Sequence, residues 1–239
     1  MIRNVLEKKP GFPADRWRII GAEQHGGEGM NNPVFGLPGG EAEHSLAEWI
    51  SRKASGVPRL LVTLDGPCAS GKTTLAGKLA QALSGAVVHT DDYVIPHALK
   101  TPERLAVPGG NCDADRLAEE IVIPFKSDLP VRYRRYDCRN DVLLPEEPLP
   151  DTRVLILEGS YCNLPVLRLH ADVRLFLDAP WEVREARLLG RESAASLQRF
   201  HDLWIPLEDA YFAAYHLPEG ADLLLRSGAD SRLDFVPLN

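Results

Sequence analysis

The sequence predicts an α/β domain: a parallel five-stranded sheet with helices on both faces. Three observations predict it. From Arg59 onward, short apolar runs of strand length alternate with stretches whose apolar residues recur at helical spacing. A glycine-rich segment, Gly66 to Thr73, joins the first such strand to the first such helix. Asp91, Asp92 and Glu158 stand where successive strands end, the edge at which open α/β sheets bind ligands.

The elements follow in order. The stretch Gly21 to Gly40 is rich in Gly, Asn and Pro and reads as loop, with Trp17, Ile19 and Ile20 before it as candidates for docking on the body. Glu41 to Ser55 places Leu46, Trp49 and Ile50 at helical spacing. Residues 1–57 are thus expected to form an N-terminal extension, and 58–239 the main domain. Arg59 to Asp65 is an uninterrupted apolar run, hence a buried strand. A helix over Thr73 to Leu83 and a strand over Ala86 to Thr90 come next. Asp113 to Phe125 reads as helix and Val131 to Tyr136 as an extended piece. Arg153–Glu158 and Asp172–Asp178 are two more buried strands. Helices from Trp181 and over Ala194 to Tyr215 precede a fifth strand at Ala221 to Leu225.

Composition narrows the function classes. The 239 residues carry 27 Lys plus Arg against 34 Asp plus Glu, a net charge of −7, with 44% hydrophobic residues. That is a folded, mildly acidic chain, which argues against a general nucleic-acid or anionic-membrane binder. The first ten residues are followed by no apolar core of a signal peptide, and no apolar run reaches the roughly 18 residues of a membrane span. Cys68, Cys112, Cys138 and Cys162 are widely spaced, as expected of reduced thiols in a cytoplasmic protein. Assembly into a homo-oligomer is left open.

Gly66-Pro-Cys-Ala-Ser-Gly-Lys-Thr73 fits GxxxxGK[ST], the loop of P-loop NTPases. Gly66 and Gly71 permit backbone angles that a β-carbon forbids. Backbone N–H groups through Cys68, Ala69, Ser70 and Gly71, continuing to Lys72, Thr73 and Thr74 at a helix N-terminus, can converge on phosphates. Lys72 supplies a positive charge and the Thr73 hydroxyl an oxygen ligand for Mg²⁺, with ATP as the expected nucleotide. No Asn-Lys-x-Asp of guanine-specific GTPases is present, and Glu158 is followed by Gly159 rather than preceded by the Asp of motor and transporter ATPases.

With these carboxylates the chain resembles the uridine kinase and phosphoribulokinase group of small-molecule kinases, over about Pro58 to Arg226. Thr90-Asp91-Asp92-Tyr93 is similar to the segment whose first Asp is the base toward the acceptor hydroxyl. Asn111-Cys112-Asp113 and Tyr136-Asp137 resemble the acceptor-binding elements, the second on a substrate hairpin. Leu157-Glu158-Gly159 resembles the end of the third strand, where Glu158 would reach the metal through water. Asp178 followed by Arg184, Arg187 and Arg191 resembles the approach to the lid. The resemblance implies transfer of the γ-phosphate of ATP·Mg to a hydroxyl, with a nucleoside as acceptor. Lys72, Asp91, Arg187 and Arg191 would be catalytic. Arg187 would also touch ATP, and Tyr93, Asn111, Asp113, Arg134, Tyr136, Asp137 and Arg184 would line the acceptor pocket.

Several residues have a second explanation. Asp91 and Asp92 also suit a turn cap, and Arg184, Arg187 and Arg191 suit a solvated face paired with Glu182, Glu185 and Glu192. Arg132, Arg134, Arg135 and Arg139 either grip an acceptor phosphate or are neutralised by Asp137, Asp141 and the acidic 146–151 stretch. The first option corresponds to a nucleoside monophosphate kinase. A third class is a nucleotide-binding regulator with slow ATPase activity, signalling through residues 1–57. The acceptor elements depart from uridine kinases at Val94 and Cys112, where those enzymes carry aromatics, and the lid loop at Glu192 to Leu197 is short.

Overall fold

The computed structural model describes residues 41–229 and 232–237. Trp17, Ile19, Ile20 and the loop-like stretch before Glu41 lie outside the described residues. Helix α1 (Glu41–Lys53) buries Leu46, Trp49 and Ile50 as their spacing requires. Strand β1 (Leu60–Asp65) is buried at every position, and α2 (Lys72–Leu83) follows the glycine-rich loop. Strand β2 (Ala86–His89) stops one residue before its expected end, because the neighbouring strand offers no partner beyond Glu158. Thr90–Tyr93 instead makes a 3-10 turn that carries both aspartates.

A short α3 (Pro102–Leu105) precedes the helical stretch expected over 113–125. That stretch consists of α4 (Ala114–Leu117), a π turn Ala118–Val122, and α5 (Ile123–Lys126). Four very short strands follow: β3 (Arg132–Tyr133), β4 (Tyr136–Asp137), β5 (Val142–Leu143) and β6 (Glu147–Pro148). They pair as two antiparallel ribbons, β3 with β6 and β4 with β5. Then come β7 (Val154–Glu158), α6 (Pro165–Arg168) and β8 (Val173–Asp178). Helix α7 (Trp181–Arg191) turns almost directly into α8 (Ala194–Arg199), a π turn Phe200–Trp204, and α9 (Ile205–Ala214). Both π turns precede a proline, Pro124 or Pro206, whose missing N–H and bulky ring break the regular i→i−4 ladder.

The sheet is completed by β9 (Leu223–Ser227) and β10 (Leu233–Pro237), in the order β10-β9-β8-β1-β7-β2. β9 begins two residues later than the sequence suggested, because the Ala221 N–H is held in a turn on Pro218 O at 2.8 Å. Five strands are parallel, as expected, and β10 adds a sixth in the antiparallel sense at one edge. Leu233 and Phe235 of β10 are buried on alternate positions, while Pro237 at its end is tolerated because an edge strand spares one set of N–H groups.

Successive strand residues feed two cores. Leu61, Val88, Leu155, Leu157 and Phe176 pack with Leu117, Ile121, Phe125, Tyr211 and Phe212 on one face. Val62, Leu64, Ile156, Leu175 and Leu177 pack with Leu46, Ile50, Leu75 and Leu79 of α1 and α2 on the other. Helices cover both faces, so β1 is buried at every position and β7, β8 and β9 at most, while the edge strand β2 is only partly buried. The ends of β1, β2 and β7 are left to converge on one edge.

Candidate active site

The loop between β1 and α2 opens onto a cavity of about 1470 Å³. Gly66 sits at φ 142°, where an added Cβ would lie 2.1 Å from Leu177 O, so only glycine lets the loop leave β1 against β8. Gly71 at φ 105° turns the chain into α2. The carbonyls of Cys68, Ala69 and Ser70 are taken up by side chains, of which Arg187 and Ser227 themselves line the cavity. Arg184 Nε donates to Cys68 O at 2.9 Å, and Arg187 donates to Ala69 O and Ser70 O at 2.9 and 2.8 Å. Ser227 Oγ adds a bond to Ser70 O at 2.8 Å. Because a planar peptide points its N–H opposite its C=O, the N–H groups of Ala69 and Gly71 point away from these side chains. The orphan N–H groups of the first turn of α2 join them. Lys72, nearly buried, arches back over the loop with Nζ at 2.8 Å from Gly66 O and 2.9 Å from Pro67 O.

The neighbouring strand ends supply carboxylates. Thr73 Oγ1 lies 3.1 Å from Glu158 Oε1, and His89 Nδ1 makes a close contact with the same oxygen, its pKa raised chiefly by that bond. Sheet register accounts for the pairing, since His89 lies opposite Glu158. Asp91 opens onto the cavity from the 3-10 turn. Although its side chain is exposed to the cavity, its pKa is raised, first by desolvation among the surrounding residues and then by Glu158 and Glu208, against the pull of Lys72 and His89. Asp92 is raised by desolvation too, with Asp91 adding to it.

The remaining expected site residues divide. Asn111 is 5% exposed and lines the cavity, and its Oδ1 has no hydrogen-bond partner among the described residues. Tyr136 and Asp137 line the same end. The Tyr136 hydroxyl bonds Asp141, and desolvation first and then that bond push its pKa up to about 12; Asp137 ties its own turn through Arg139 N at 2.8 Å and Asn140 Nδ2 at 2.7 Å. Tyr93 is buried away from the cavity, its ring 4.1 Å from the Arg116 guanidinium and its hydroxyl 3.3 Å from Glu120. Asp113 is engaged by Arg116 at 3.1 Å, outside the cavity. The ribbon arginines are neutralised: Arg134 pairs with Glu120 at 3.0 Å, Arg135 with Glu147 at 2.6 Å, and Arg132 with Glu146. Tyr93, Asp113 and Arg134 therefore do not line the cavity, each being held by a nearer partner.

Arg184, Arg187 and Arg191 do share one side of α7, but they part company. Arg184 and Arg187 brace the loop's carbonyls, and Arg191 lies at the cavity rim beside Glu192 at 2.9 Å. Arg184 is thus placed behind the loop instead of against an acceptor. No sequence motif points to Glu208, Ser160 or Ser227, nor to the cavity-lining cations Lys100 and Arg199, while Arg139 is the one member of the ribbon cluster that lines the cavity.

No family model matches the chain, and no curated protein matches it either. Solved structures do. A protein from Silicibacter sp. TM1040, described as a candidate fructose transport system kinase, superposes with a TM-score of 0.58 at 26% identity, over 72% of this chain and 94% of that one. A candidate uridine kinase from Bacillus stearothermophilus gives 0.58 at 22% identity, over 74% and 96%. YFH7 from Saccharomyces cerevisiae, described as a P-loop kinase with a circular permutation, gives 0.53 at 12% over 72% and 95%. The fold is that of the P-loop kinases of the uridine kinase type. The cavity is lined by the loop and α2 together with the 3-10 turn, Asn111 and the β4–β5 ribbon. No helix of the described residues is long and apolar enough to cross a membrane.

Proposed function

We propose that the protein is an ATP-dependent phosphotransferase that moves the γ-phosphate of ATP·Mg to a hydroxyl of a small molecule. The observation that carries this reading is that Lys72 and the phosphate loop line one cavity together with Asp91, Glu158 and Asn111. The N–H groups of the loop and of the first turn of α2, with Lys72, would hold the polyphosphate, since phosphoryl transfer asks mainly for positioning and charge neutralisation. Lys72 would exchange its two loop carbonyls for phosphate oxygens. Asp91 would accept the acceptor hydroxyl's proton, and its raised pKa makes it a better base than an ordinary carboxylate.

The donor set suits Mg²⁺. Thr73 and Glu158 offer hard oxygens 3.1 Å apart, and the buried Ser70 hydroxyl, three residues before Thr73 in the loop, lacks a partner among the described residues. Thr73 would bind the ion directly and Glu158 through water. When bound, Mg²⁺ neutralises charge on the β- and γ-phosphates. Arg191 remains the lid arginine nearest in character to the expected one, with Arg187 acting through the loop.

The acceptor is a ribose-bearing nucleoside or a sugar. The nucleoside reading rests on the uridine kinase likeness, and the sugar reading on the 26% identity to the candidate fructose transport system kinase. The monophosphate alternative loses its support where Arg132, Arg134 and Arg135 are ion-paired away from the cavity. Four unpaired cysteines favour a cytoplasmic setting. The test is an ADP-release screen over nucleosides, sugars and nucleoside monophosphates, with Asp91→Asn as control. A nucleoside or sugar should stimulate release and the variant should abolish it. Stimulation that survives Asp91→Asn would remove the base assignment.

A further inference from the structure

We propose that Glu208 is a positioning residue of the phosphate loop, clamping the Cys68 peptide together with Arg184 and so holding the loop in its anion-receiving shape. The inference rests on reading the loop as a nucleotide-phosphate site. Glu208 stands on α9, far along the chain from the loop, yet is only 6% exposed and reaches the cavity wall. Its Oε2 accepts the Cys68 N–H at 2.9 Å. Its Oε1 accepts the Ser160 hydroxyl at 2.6 Å, and that hydroxyl also lies 3.1 Å from Gly66 O. From the other side, Arg184 of α7 donates to Cys68 O at 2.9 Å.

Both backbone polar groups of Cys68 are therefore satisfied by side chains, one from each end of the α7–α9 segment. Neither helix nor sheet can supply these bonds, because Pro67 and the glycines keep this half of the loop irregular. A second tether comes from the same side of α9. Tyr211, three residues after Glu208, donates to Asp65 Oδ2 at 2.7 Å, and Asp65 Oδ1 accepts the Gly66 N–H at 2.8 Å. α9 is thus a backrest for the first half of the loop, as α7 is for the second. A carboxylate this close to bound phosphate is electrostatically unfavourable, so hydrogen bonding and not charge is the property that suits it to this place. The neutral isostere can make the same bonds. A glutamine at 208 would accept from the Cys68 N–H through its carbonyl and donate its amide N–H to Ser160 Oγ, freeing the Ser160 proton for Gly66 O.

Calorimetric titration of the full chain with Mg·ADP tests this, alongside melting temperatures. Glu208→Ala should weaken ADP binding about tenfold or more, the scale of a lost hydrogen bond to a charged group, while Glu208→Gln should bind near the wild-type value. Wild-type affinity in the alanine variant overturns the proposal, as does a glutamine variant as weak as alanine. If the alanine variant fails to fold, Glu208→Asp replaces it: one methylene shorter, it cannot reach both partners and should bind weakly, and wild-type affinity there is equally fatal. ADP binding is read without any acceptor. Absence of a phosphorylated product would thus sink the kinase reading and leave this test standing.

Discussion

Arg187 separates two ways of using a cation near a phosphate. A lid arginine touches the transferring group and contributes in the transition state; a bracing arginine shapes the loop before anything binds. Arg187 donates to Ala69 O and Ser70 O at 2.9 and 2.8 Å, and to Ser227 Oγ and Gly228 O at 3.2 and 3.3 Å. Arg187→Ala removes the first two bonds, each to a charged donor and so worth about 1.5–3 kcal/mol when made. The guanidinium is only half-buried, so water replaces part of that. A net cost of about 2–3 kcal/mol for restoring the loop's shape corresponds to about 30- to 150-fold weaker Mg·ADP binding. Lysine should not rescue it, since one ammonium cannot reproduce the fork that spans Ala69, Ser70 and Ser227. Calorimetry with Mg·ADP measures the loss directly. Unchanged ADP affinity with kcat reduced more than about 100-fold would refute the reasoning and return Arg187 to the lid, since such a pattern marks an interaction made only in the transition state.

Three further outcomes follow from the geometry. Asp91 must be ionised to accept a proton and its pKa is raised, so kcat should fall on acidification through a limb lying above the ordinary carboxylate range; a pH–rate profile with its acid limb at or below pH 4 contradicts this. Asp65, fully buried, is pushed up from 3.8 to about 6 by desolvation, so the folded chain holds its proton more tightly than the unfolded one. Its stabilising contribution is complete below pH 3.8 and is lost as pH rises through about 6, a change of about 3 kcal/mol. Denaturant midpoints for Asp65→Asn should lack that slope, and an unchanged slope assigns it elsewhere. Arg134→Ala breaks a solvent-facing pair with Glu120 and should cost less than about 1 kcal/mol, with acceptor KM unmoved; a tenfold rise in KM would restore the ribbon arginines as acceptor ligands.

What was legible in the sequence was what depends on near neighbours. The apolar run of β1, the 3.6-residue repeat of α2 and the GxxxxGKT spacing between them each describe a few adjacent residues, and each is found in place. Asp91 and Glu158 were readable because a strand's end is itself a local feature, and parallel register then brings both ends to one edge. β10 carries a readable alternation, with Leu233 and Phe235 buried, but Pro237 masks it as a strand. The helical patterns over 113–125 and 194–215 were read correctly as helix. Their π turns come from single prolines acting on hydrogen bonds that periodicity does not see.

Partner choice was not legible. Arg184 and Arg187 fall on one side of α7, but spacing alone does not tell whether that side meets solvent, a phosphate or the back of a loop more than a hundred residues away. Arg134 and Tyr93 read as site residues until folding supplied Glu120 to both. Glu208 offered no motif at all; its meaning comes entirely from α9 lying against Cys68. The sequence by itself determined the order of elements, the loop and the edge where chemistry is placed, because these follow from short-range backbone preference. Only the tertiary structure decided which charges face the cavity, because a charged side chain takes the nearest complementary group, and that group is chosen by packing at long range.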